Sequence, residues 1–466
     1  MALSAKSKHA IHVILFILWL FLFEIICGAL PFSYERQFID NQTSPIQRYG
    51  YLGAFLLYAL RIASLLALPQ TIFNTLGLIF FNGFKEKVKL KASPLLAPFI
   101  CFRVVTRGDY PALIKKNLHY NIEICREAGM ENFFFEVVSD KPINLPTLSK
   151  LREVVVPSSY RTKSGALFKS RALQYCLEDD VNILQNNDWI VHLDEETLLT
   201  VNSVCGILNF CEDGKHQFGQ GVITYANGEI VNLITTLSDS LRVADDMGKL
   251  RFQFHFFHKP LFGWKGSFVV AQVSAERKVT FDHGKEGSIA EDCFFSMIAY
   301  KYGYTFDFIE GEMHEKSPFT FMDFLQQRKR WLQGIYLTVH SKRIPITKKI
   351  LLALSFYAWA TMPFTSLQLY LFHSFPLPKC FIFDFMVGFV AAVILYMYIY
   401  GVIKNFSNKY KKNPLRLCLY LACVLLIIPF NVLVENLAVI WGIFSHKNNF
   451  YVVKKYVETS QYIAEC

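Results

Sequence analysis

The chain has 466 residues, enough for one large domain of about 250 residues together with several membrane helices. Hydrophobic residues make up 53% of it, a share that argues against an ordinary soluble enzyme. The formal net charge of +10 is compatible with nucleic-acid binding, but the basic residues stand beside apolar segments, where anionic lipid headgroups match them. We therefore expect a protein of the lipid bilayer that binds no nucleic acid.

The eleven cysteines are odd in number and scattered, without a Cys-x-x-Cys pair or zinc-ligand spacing. This pattern favours a domain that faces a reducing compartment over a secreted disulfide scaffold.

Two apolar runs near the N-terminus, at about 11–30 and 51–75, are each long enough to cross about 30 Å of hydrocarbon as a helix. We assign residues 1–82 to an N-terminal membrane region that contains both. Lys6 and Lys8 precede the first run, which places the N-terminus in the cytosol.

The sequon Asn41-Gln42-Thr43 lies between the two runs and agrees with a luminal loop there. Two crossings return the chain to the cytosol, so we predict a cytosolic domain at 83–347.

A C-terminal membrane region is predicted at 348–445, followed by a tail at 446–466. Its apolar segments lie at about 349–372, 381–402 and 416–444. The basic loop 404–416 indicates a cytosolic position. Pro429 interrupts the last segment and suits a broken or re-entrant helix, so the side of the membrane on which the tail lies is left open.

The middle of the chain alternates strand-like and helix-like stretches, which predicts an α/β, Rossmann-like domain with a mostly parallel sheet. The strand candidates are 99–106, 133–139, 153–156 and 189–193, and the helix candidates are 110–129 and 164–178. In such sheets ligands bind beyond the carboxyl ends of the strands.

Asp140 and Asp194 both stand where a predicted strand ends. Asp140 could accept hydrogen bonds from the base or ribose of a nucleotide ligand. A turn-forming Asp before Lys141 is a plausible alternative. Asp194 and Glu196 are spaced to hold one Mg²⁺ or Mn²⁺, hard cations that take oxygen ligands and bridge diphosphate oxygens. The alternative for this pair is a solvated acidic turn.

Glu291 and Asp292 stand at the start of a predicted helix. Acids in a first turn are often present for the helix dipole alone. Transfer of a group to an alcohol, however, needs a base that takes the hydroxyl proton. Asp292 is our candidate base, with Glu291 as the residue that orients it.

Gln327, Arg330 and Trp331 lie on a predicted helix at about 320–340. The helix is amphipathic and is expected to lie at the membrane surface. Arg330 can meet phosphate oxygens, and Trp331 offers a flat face to a sugar of donor or acceptor.

Two glycine-containing segments are weaker candidates. Lys163 and Gly165 open a predicted helix and suit a diphosphate. Trp264 and Gly266 belong to an aromatic loop that either faces the acceptor or forms an ordinary tight turn. The histidines, which include His255, His258, His283 and His314, have no ligand spacing and are interpreted as structural or surface residues.

These motifs resemble those of the family 2 glycosyltransferases, inverting enzymes with the GT-A fold. The matching positions are Asp140 for the first aspartate, Asp194 and Glu196 for D-x-D, Glu291 and Asp292 for T-E-D, and Gln327, Arg330 and Trp331 for Q-x-x-R-W. The sequence departs from the pattern at Glu196, where the motif has Asp, and at Ala290, where it has Thr.

Nearly the whole chain is similar to the Egghead-type invertebrate glycolipid β-1,4-mannosyltransferases. This resemblance implies transfer of mannose from GDP-mannose to glucosylceramide by a multi-pass protein of the endoplasmic reticulum or Golgi. A ceramide glucosyltransferase or a processive polysaccharide synthase that uses a UDP-sugar would share the motifs. A transporter or membrane scaffold with a degenerate domain is the alternative from a different class.

Overall fold

In a computed structural model, the described residues are 3–28, 30, 44–85, 87–146, 148–446 and 451–453. The predicted luminal sequon at Asn41 and most of the tail lie outside them.

Within the described residues, the middle of the chain forms one seven-stranded sheet. Its strands are β1 (Ile100–Thr106), β2 (Phe133–Ser139), β3 (Leu151–Val155), β4 (Trp189–Asp194), β5 (Phe218–Thr224), β6 (Val269–Gln272) and β7 (Phe306–His314). The spatial order is β3-β2-β1-β4-β6-β5-β7. Only β6 runs against its neighbours, β4 and β5, while the other paired strands are parallel. The predicted mostly parallel α/β fold is therefore confirmed.

Helices precede, cover and follow this sheet. They are α1 (Ala5–Ile26), α2 (Pro45–Ala63), α3 (Leu68–Phe80), α4 (Pro111–Glu127), α5 (Phe168–Tyr175), α6 (Val201–Asp213), α7 (Leu233–Asp245), α8 (Val273–Val279), α9 (Glu291–Lys301), α10 (Phe321–His340), α11 (Ile346–Ala360), α12 (Met362–Ser374), α13 (Phe381–Asn405), α14 (Asn408–Lys411) and α15 (Pro414–Phe444). Two turns of π-helix, Asp246–Leu250 and Gln253–Phe257, continue α7 and are called the π segment.

The central strands form because they are continuous apolar runs covered on both faces. Every residue of β2 is buried, as expected for a parallel strand with helices on either side. The strands β5, β6 and β7 were not predicted. Gly219 and Gly221 interrupt the β-prone pattern of β5, yet Gly221 is required because a Cβ there would overlap the ring of Phe268.

One predicted helix is wrong in extent. Residues 164–178 were expected to be helical, but α5 covers only Phe168–Tyr175. Residues 163 and 164 form a turn, and Gly165 follows with φ of +77°, a left-handed conformation that an α-helix cannot include.

A buried cluster of charges lies within the sheet. Arg103 on β1 donates from Nε to Glu136 on β2 at 2.7 Å and contacts Glu276 of α8 at 3.1 Å. Glu136 also forms an ion pair with Arg152, and Glu276 lies 2.6 Å from His192 Nε2. Each buried carboxylate thus has more than one charged or polar partner, which is the condition for burying it at tolerable cost.

Apolar helices able to cross a membrane lie at both ends of the chain, as predicted. Within the described residues they are Ala5–Ile26, Pro45–Phe80, Phe381–Asn405 and Pro414–Phe444. The number becomes five if Ile346–Ala360 and Met362–Gln368, bent by 56°, form one span. The limits of the membrane regions, 1–82 and 348–445, stay predictions.

Two of the apolar segments differ in detail from expectation. The run predicted at 51–75 consists of α2 and α3 joined by a 3-10 turn at Ser64–Ala67. The segment 416–444, where a break was considered, is one continuous helix with Pro429 inside it.

Helix α3 contacts the end of α7 and the π segment. Asn74 donates to Asp245 Oδ1 at 2.9 Å and accepts from the backbone N–H of Lys249 at 2.7 Å. Gly77 lies against the backbone of Gly248, so closely that a side chain at position 77 would overlap it. The π segment is therefore clamped to α3.

Arg61 and Asp384, which belong to two apolar helices, are partners of each other. Arg61 forms an ion pair with Asp384, and its Nη1 donates to the Pro378 carbonyl at 2.8 Å. These contacts join α2 to the start of α13. Arg61 and Asp384, ionisable residues that could have marked a transport pathway, are thus engaged with each other.

Replacing Arg103 with Met should destabilise the fold by about 3 kcal/mol or more, because Glu136 and Glu276 would lose a buried cation. Thermal unfolding followed by intrinsic fluorescence measures the effect. Arg126→Met is the control: Arg126 is exposed and pairs with exposed Glu123, so its loss should cost at most about 0.5 kcal/mol. Equal melting temperatures for the two variants would contradict the structural role of the cluster.

Candidate active site

The carboxyl edge of the sheet brings the first two predicted residues together. Val105 of β1 is in register with Asp194 of β4, and Thr106 is in register with Ser139, the residue before Asp140. Because β2 and β4 flank β1, the two aspartates stand about 10 Å apart at the same edge.

Helix α5 supplies a basic residue to each aspartate. Lys169 Nζ lies 2.7 Å from Asp194 Oδ1 and donates to the Gly266 carbonyl at 3.2 Å. Two residues further along the helix, Arg171 Nη2 lies 2.6 Å from Asp140 Oδ1. The side chain of Asp140 remains 43% exposed, so it is still accessible to a ligand.

Lys169 also connects the strand edge to α9. Its Nζ lies 3.6 Å from Glu291 Oε1, while the ammonium group is largely buried. Burial lowers the pKa of Lys169, but Asp194 and Glu291 outweigh this effect and hold it above its ordinary value. A permanently charged lysine therefore lies between the predicted metal ligand and the predicted catalytic pair.

Asp292 stands beside this lysine with an unusual protonation equilibrium. Burial and the neighbouring charge of Glu291 raise its pKa to about 7, despite opposing effects of Lys169 and Arg330. A carboxyl group with a pKa near neutral pH is suited to accept a proton during a reaction.

The loop at 262–267 positions Asp292. The indole N–H of Trp264 donates to the Asp292 backbone carbonyl at 2.8 Å, and the Cys293 N–H donates to Asp292 Oδ1 at 2.7 Å. At Gly266 a Cβ would lie 3.1 Å from Asp292 Oδ2, so glycine leaves this oxygen room. Trp264 itself is 9% exposed and stacks on Phe295, which makes it a support for Asp292, and its predicted acceptor contact stays untested.

A third carboxylate adjoins the predicted metal pair. Glu315 follows β7 and accepts from Thr197 Oγ1 at 2.6 Å. Burial raises its pKa to about 7, and the charges of Glu196 and Asp194 add to the shift. The three carboxyl groups are thus close enough to repel one another, and a cation among them would relieve that repulsion.

Helix α10 lies directly against the start of α9. A Cβ at Gly334 would stand 2.5 Å from the Cβ of Ala290, the residue before Glu291. A small residue at each of these two positions lets the helices approach closely. This contact brings Arg330 near enough to Asp292 to lower its pKa.

Trp331 is surrounded by arginines. The guanidinium carbon of Arg242 lies 4.5 Å from the ring centroid, and that of Arg328 lies 4.6 Å from it. Such contacts are attractive because the aromatic face is electronegative. They fix the indole in place and cover part of the face that was predicted to stack on a sugar.

Arg328 links the site to the membrane helices. Its Nη2 lies 2.8 Å from Asp239 on α7, and its Nε lies 3.1 Å from Glu435 on α15. Glu435 also accepts from the indole N–H of Trp359 on α11 at 3.0 Å. The helix at 321–340 is consequently held by buried charges as well as by apolar packing.

The remaining predicted residues lie less close to the acidic centre. Lys163 and Gly165 are exposed in a turn held by the bond from the Ser164 N–H to Asp282 Oδ2 at 2.7 Å. Gln327 is partly buried on α10, and its Oε1 has no hydrogen-bond partner among the described residues.

Three residues of the site were not predicted from the sequence: Lys169, Arg171 and Glu315. A basic residue early in a helix and a glutamate after a strand are typical of solvated positions. One signal was present, because Lys169 and Arg171 are two residues apart and follow the segment already selected for a diphosphate.

The sheet order, the acidic strand edge and the flanking apolar helices together define a glycosyltransferase of the GT-A fold class. The family described as Glycosyl transferase family group 2 matches residues 189–404. The β-1,4-mannosyltransferase bre-3 of Caenorhabditis elegans is 65% identical over 457 residues, which cover 98% of this chain and 100% of that protein. The β-1,4-mannosyltransferase egh of Drosophila melanogaster is 58% identical over 456 residues, covering 97% and 98%. The chain therefore belongs to the family 2 glycosyltransferases, in the group of the bre-3 and egh β-1,4-mannosyltransferases.

Solved structures show a more distant likeness. The mannosyltransferase PcManGT from Pyrobaculum calidifontis, in complex with GDP-Man and Mn²⁺, is 13% identical with a TM-score of 0.48, covering 83% of this chain and 99% of that one. TarS 1-349 of S. aureus is 10% identical with a TM-score of 0.34, covering 74% and 90%.

Glu315 should make the metal-free protein less stable as the pH rises. Its pKa in the folded state is raised from 4.5 to about 7, so the folded state favours the protonated form and loses stability between these two pH values. Glu315→Gln should flatten the fall in melting temperature over this range, and the contribution of Asp292 should remain. Glu123→Gln, at an exposed carboxylate, is the control. An unchanged slope in Glu315→Gln would rule out the raised pKa.

Proposed function

We propose that the protein is an inverting β-1,4-mannosyltransferase that transfers mannose from GDP-mannose to the 4-hydroxyl group of glucosylceramide. The observation that supports a single reaction centre is the position of Lys169, which contacts Asp194 of the strand edge and Glu291 of the helix that carries Asp292. The β-1,4-mannosyl linkage follows from the names of the two relatives.

Asp292 is the proposed general base. The acceptor oxygen forms a bond to the anomeric carbon while its proton passes to the Asp292 carboxylate, and the bond from that carbon to the diphosphate oxygen breaks. The leaving GDP takes the electron pair. Attack on the face opposite the leaving group converts an α-linked donor into a β-linked product.

Oδ2 of Asp292 is the atom that receives the proton in this proposal. Oδ1 accepts the hydrogen bond from the Cys293 N–H, and Gly266 leaves space beside Oδ2. Glu291 shares Lys169 with Asp194, and its negative charge raises the pKa of Asp292, so it tunes the base electrostatically.

The metal, Mg²⁺ or Mn²⁺, would be held by Asp194 and Glu196. The residues fit such an ion: both are oxygen donors, and their crowding with Glu315 leaves negative charge that a divalent cation can balance. When bound, it supplies positive charge to the diphosphate leaving group. Lys169 is placed to add to this charge.

The donor and the acceptor approach from different sides of the acidic centre in this proposal. Asp140 would contact the nucleoside, with Arg171 holding its carboxylate at the rim. Lys163, Gly165, Gln327 and Arg330 would meet the diphosphate, and Trp331 the sugar. The lipid would reach the site from the bilayer beside α10, past the 262–267 loop.

We propose that the domain 83–347 faces the cytosol of an endoplasmic reticulum or Golgi membrane. The cytosolic assignment rests on the charge pattern of the flanking sequence. The described cysteines are free thiols, in agreement with a reducing environment.

Replacing Asp292 with Asn should lower kcat by a factor of about 10²–10⁴, because the reaction loses its base while the pocket keeps its shape. Donor binding, measured by isothermal titration with GDP-mannose, should change little. Asp213→Asn, at an exposed aspartate paired with Lys215, serves as the control and should keep the full rate. Near-normal turnover in Asp292→Asn would sink the assignment of the base.

The donor and acceptor are tested by incubating the purified protein in lipid nanodiscs with glucosylceramide and either GDP-mannose or UDP-glucose. We expect a ceramide extended by one hexose in mass spectra, from GDP-mannose only, and its loss on chelation with recovery on adding Mg²⁺ or Mn²⁺. A product from UDP-glucose would support the glucosyltransferase alternative. A long polymer would support a processive synthase.

A further inference from the structure

A second group of potential metal ligands lies at the opposite end of the sheet from the acidic centre. His216 precedes β5, Asp307 is the second residue of β7, and His258 ends the π segment. One ligand atom from each of these three side chains lies within 4.8 Å of the other two. The acidic centre is at the far end of β5, about 20 Å away.

The hydrogen bonds of His258 fix its tautomer. His258 Nδ1 lies 3.1 Å from the Phe306 carbonyl oxygen, which can only accept. Nδ1 must therefore carry the proton, and Nε2 keeps its lone pair.

His216 is fixed in the same way. Thr305 Oγ1 donates to Gln217 Oε1 at 3.3 Å, so it accepts from His216 Nδ1 at 3.0 Å. The Nε2 lone pair of His216 is again available.

The hydrogen bonds of the Asp307 carboxylate involve one of its two oxygens. Its Oδ1 accepts from the Phe308 N–H at 2.7 Å and lies 2.7 Å from His255 Nδ1. Among the described residues, these bonds leave Oδ2 as the ligand oxygen. A histidine that holds the carboxylate from behind is the supporting contact that metal-binding carboxylates usually have.

We propose that His216, His258 and Asp307 form a second metal site, distinct from the transfer centre, for a divalent transition metal of the zinc type. Two imidazole nitrogens and one carboxylate oxygen are zinc ligands, and the fourth position is left for water. Mg²⁺ and Ca²⁺ are disfavoured because they prefer oxygen donors. The two rings stack with their centroids 4.3 Å apart and their planes inclined by 19°, so both imidazoles lie side by side next to Asp307.

The position of this site suggests a structural role. An ion here would tie the π segment to the starts of β5 and β7. The chain continues from His258 directly into the loop that carries Trp264 and Gly266, which hold Asp292. The metal would thereby fix the origin of that loop without taking part in sugar transfer.

The test uses the full chain in nanodiscs, stripped with a chelator and equilibrated with Zn²⁺. All proteins in this test also carry Asp194→Asn, which removes metal binding at the transfer centre. We expect one equivalent of zinc to remain after gel filtration, a rise in melting temperature of about 3 °C or more, and, with Co²⁺, visible absorption of a four-coordinate ion.

His258→Gln and Asp307→Asn should each weaken zinc binding by at least about tenfold, whereas the exposed His119→Gln should not. Since a substitution can disturb folding, the parent protein is also treated with diethylpyrocarbonate, from which Zn²⁺ should shield His216 and His258 but not His119. Zinc binding equal in His258→Gln and the parent, or no selective shielding, would overturn the proposal.

Discussion

The ion pair between Lys169 and Asp194 is the interaction on which the catalytic centre depends. Carboxylates from β4 and from the start of α9 converge on Lys169, and without a cation their mutual repulsion would drive them apart or keep them protonated. Lys169 contacts both sets from a third element, α5. The lysine therefore makes convergence of the acids possible and still leaves Asp292 with a pKa of about 7, poised for proton transfer.

Two arginines elsewhere in the structure also pair with more than one carboxylate each. Arg103 allows two buried glutamates to sit within the sheet, and Arg328 connects α10 to α7 and α15. In each case one arginine joins elements that are distant in the chain. Such shared cations are specific in geometry, because a guanidinium group offers several donors in a fixed plane. One set of ion pairs thus joins the strands of the sheet, and a separate set joins α10 to α7 and to the apolar helix α15.

The sequence was sufficient to predict what depends on local pattern. The strands β2 and β4 were recognised as continuous apolar runs, and Asp140 and Asp194 because each stands where such a run ends. The strands β5, β6 and β7 were not predicted. In β5, Gly219 and Gly221 interrupt the β-prone pattern. Lys169 and Glu315 could not be identified, because their environment is created by residues far away in the chain. The histidines were interpreted as structural or surface residues for the same reason.

The link from Arg328 to Glu435 has a consequence for biosynthesis. Glu435 lies in α15, so a ribosome completes the whole sheet before this partner of Arg328 exists. Before that helix is made, Arg328 lacks the carboxylate of Glu435 and has Asp239 as its remaining acidic partner. The finished contacts of α10 therefore depend on a helix that is translated after it.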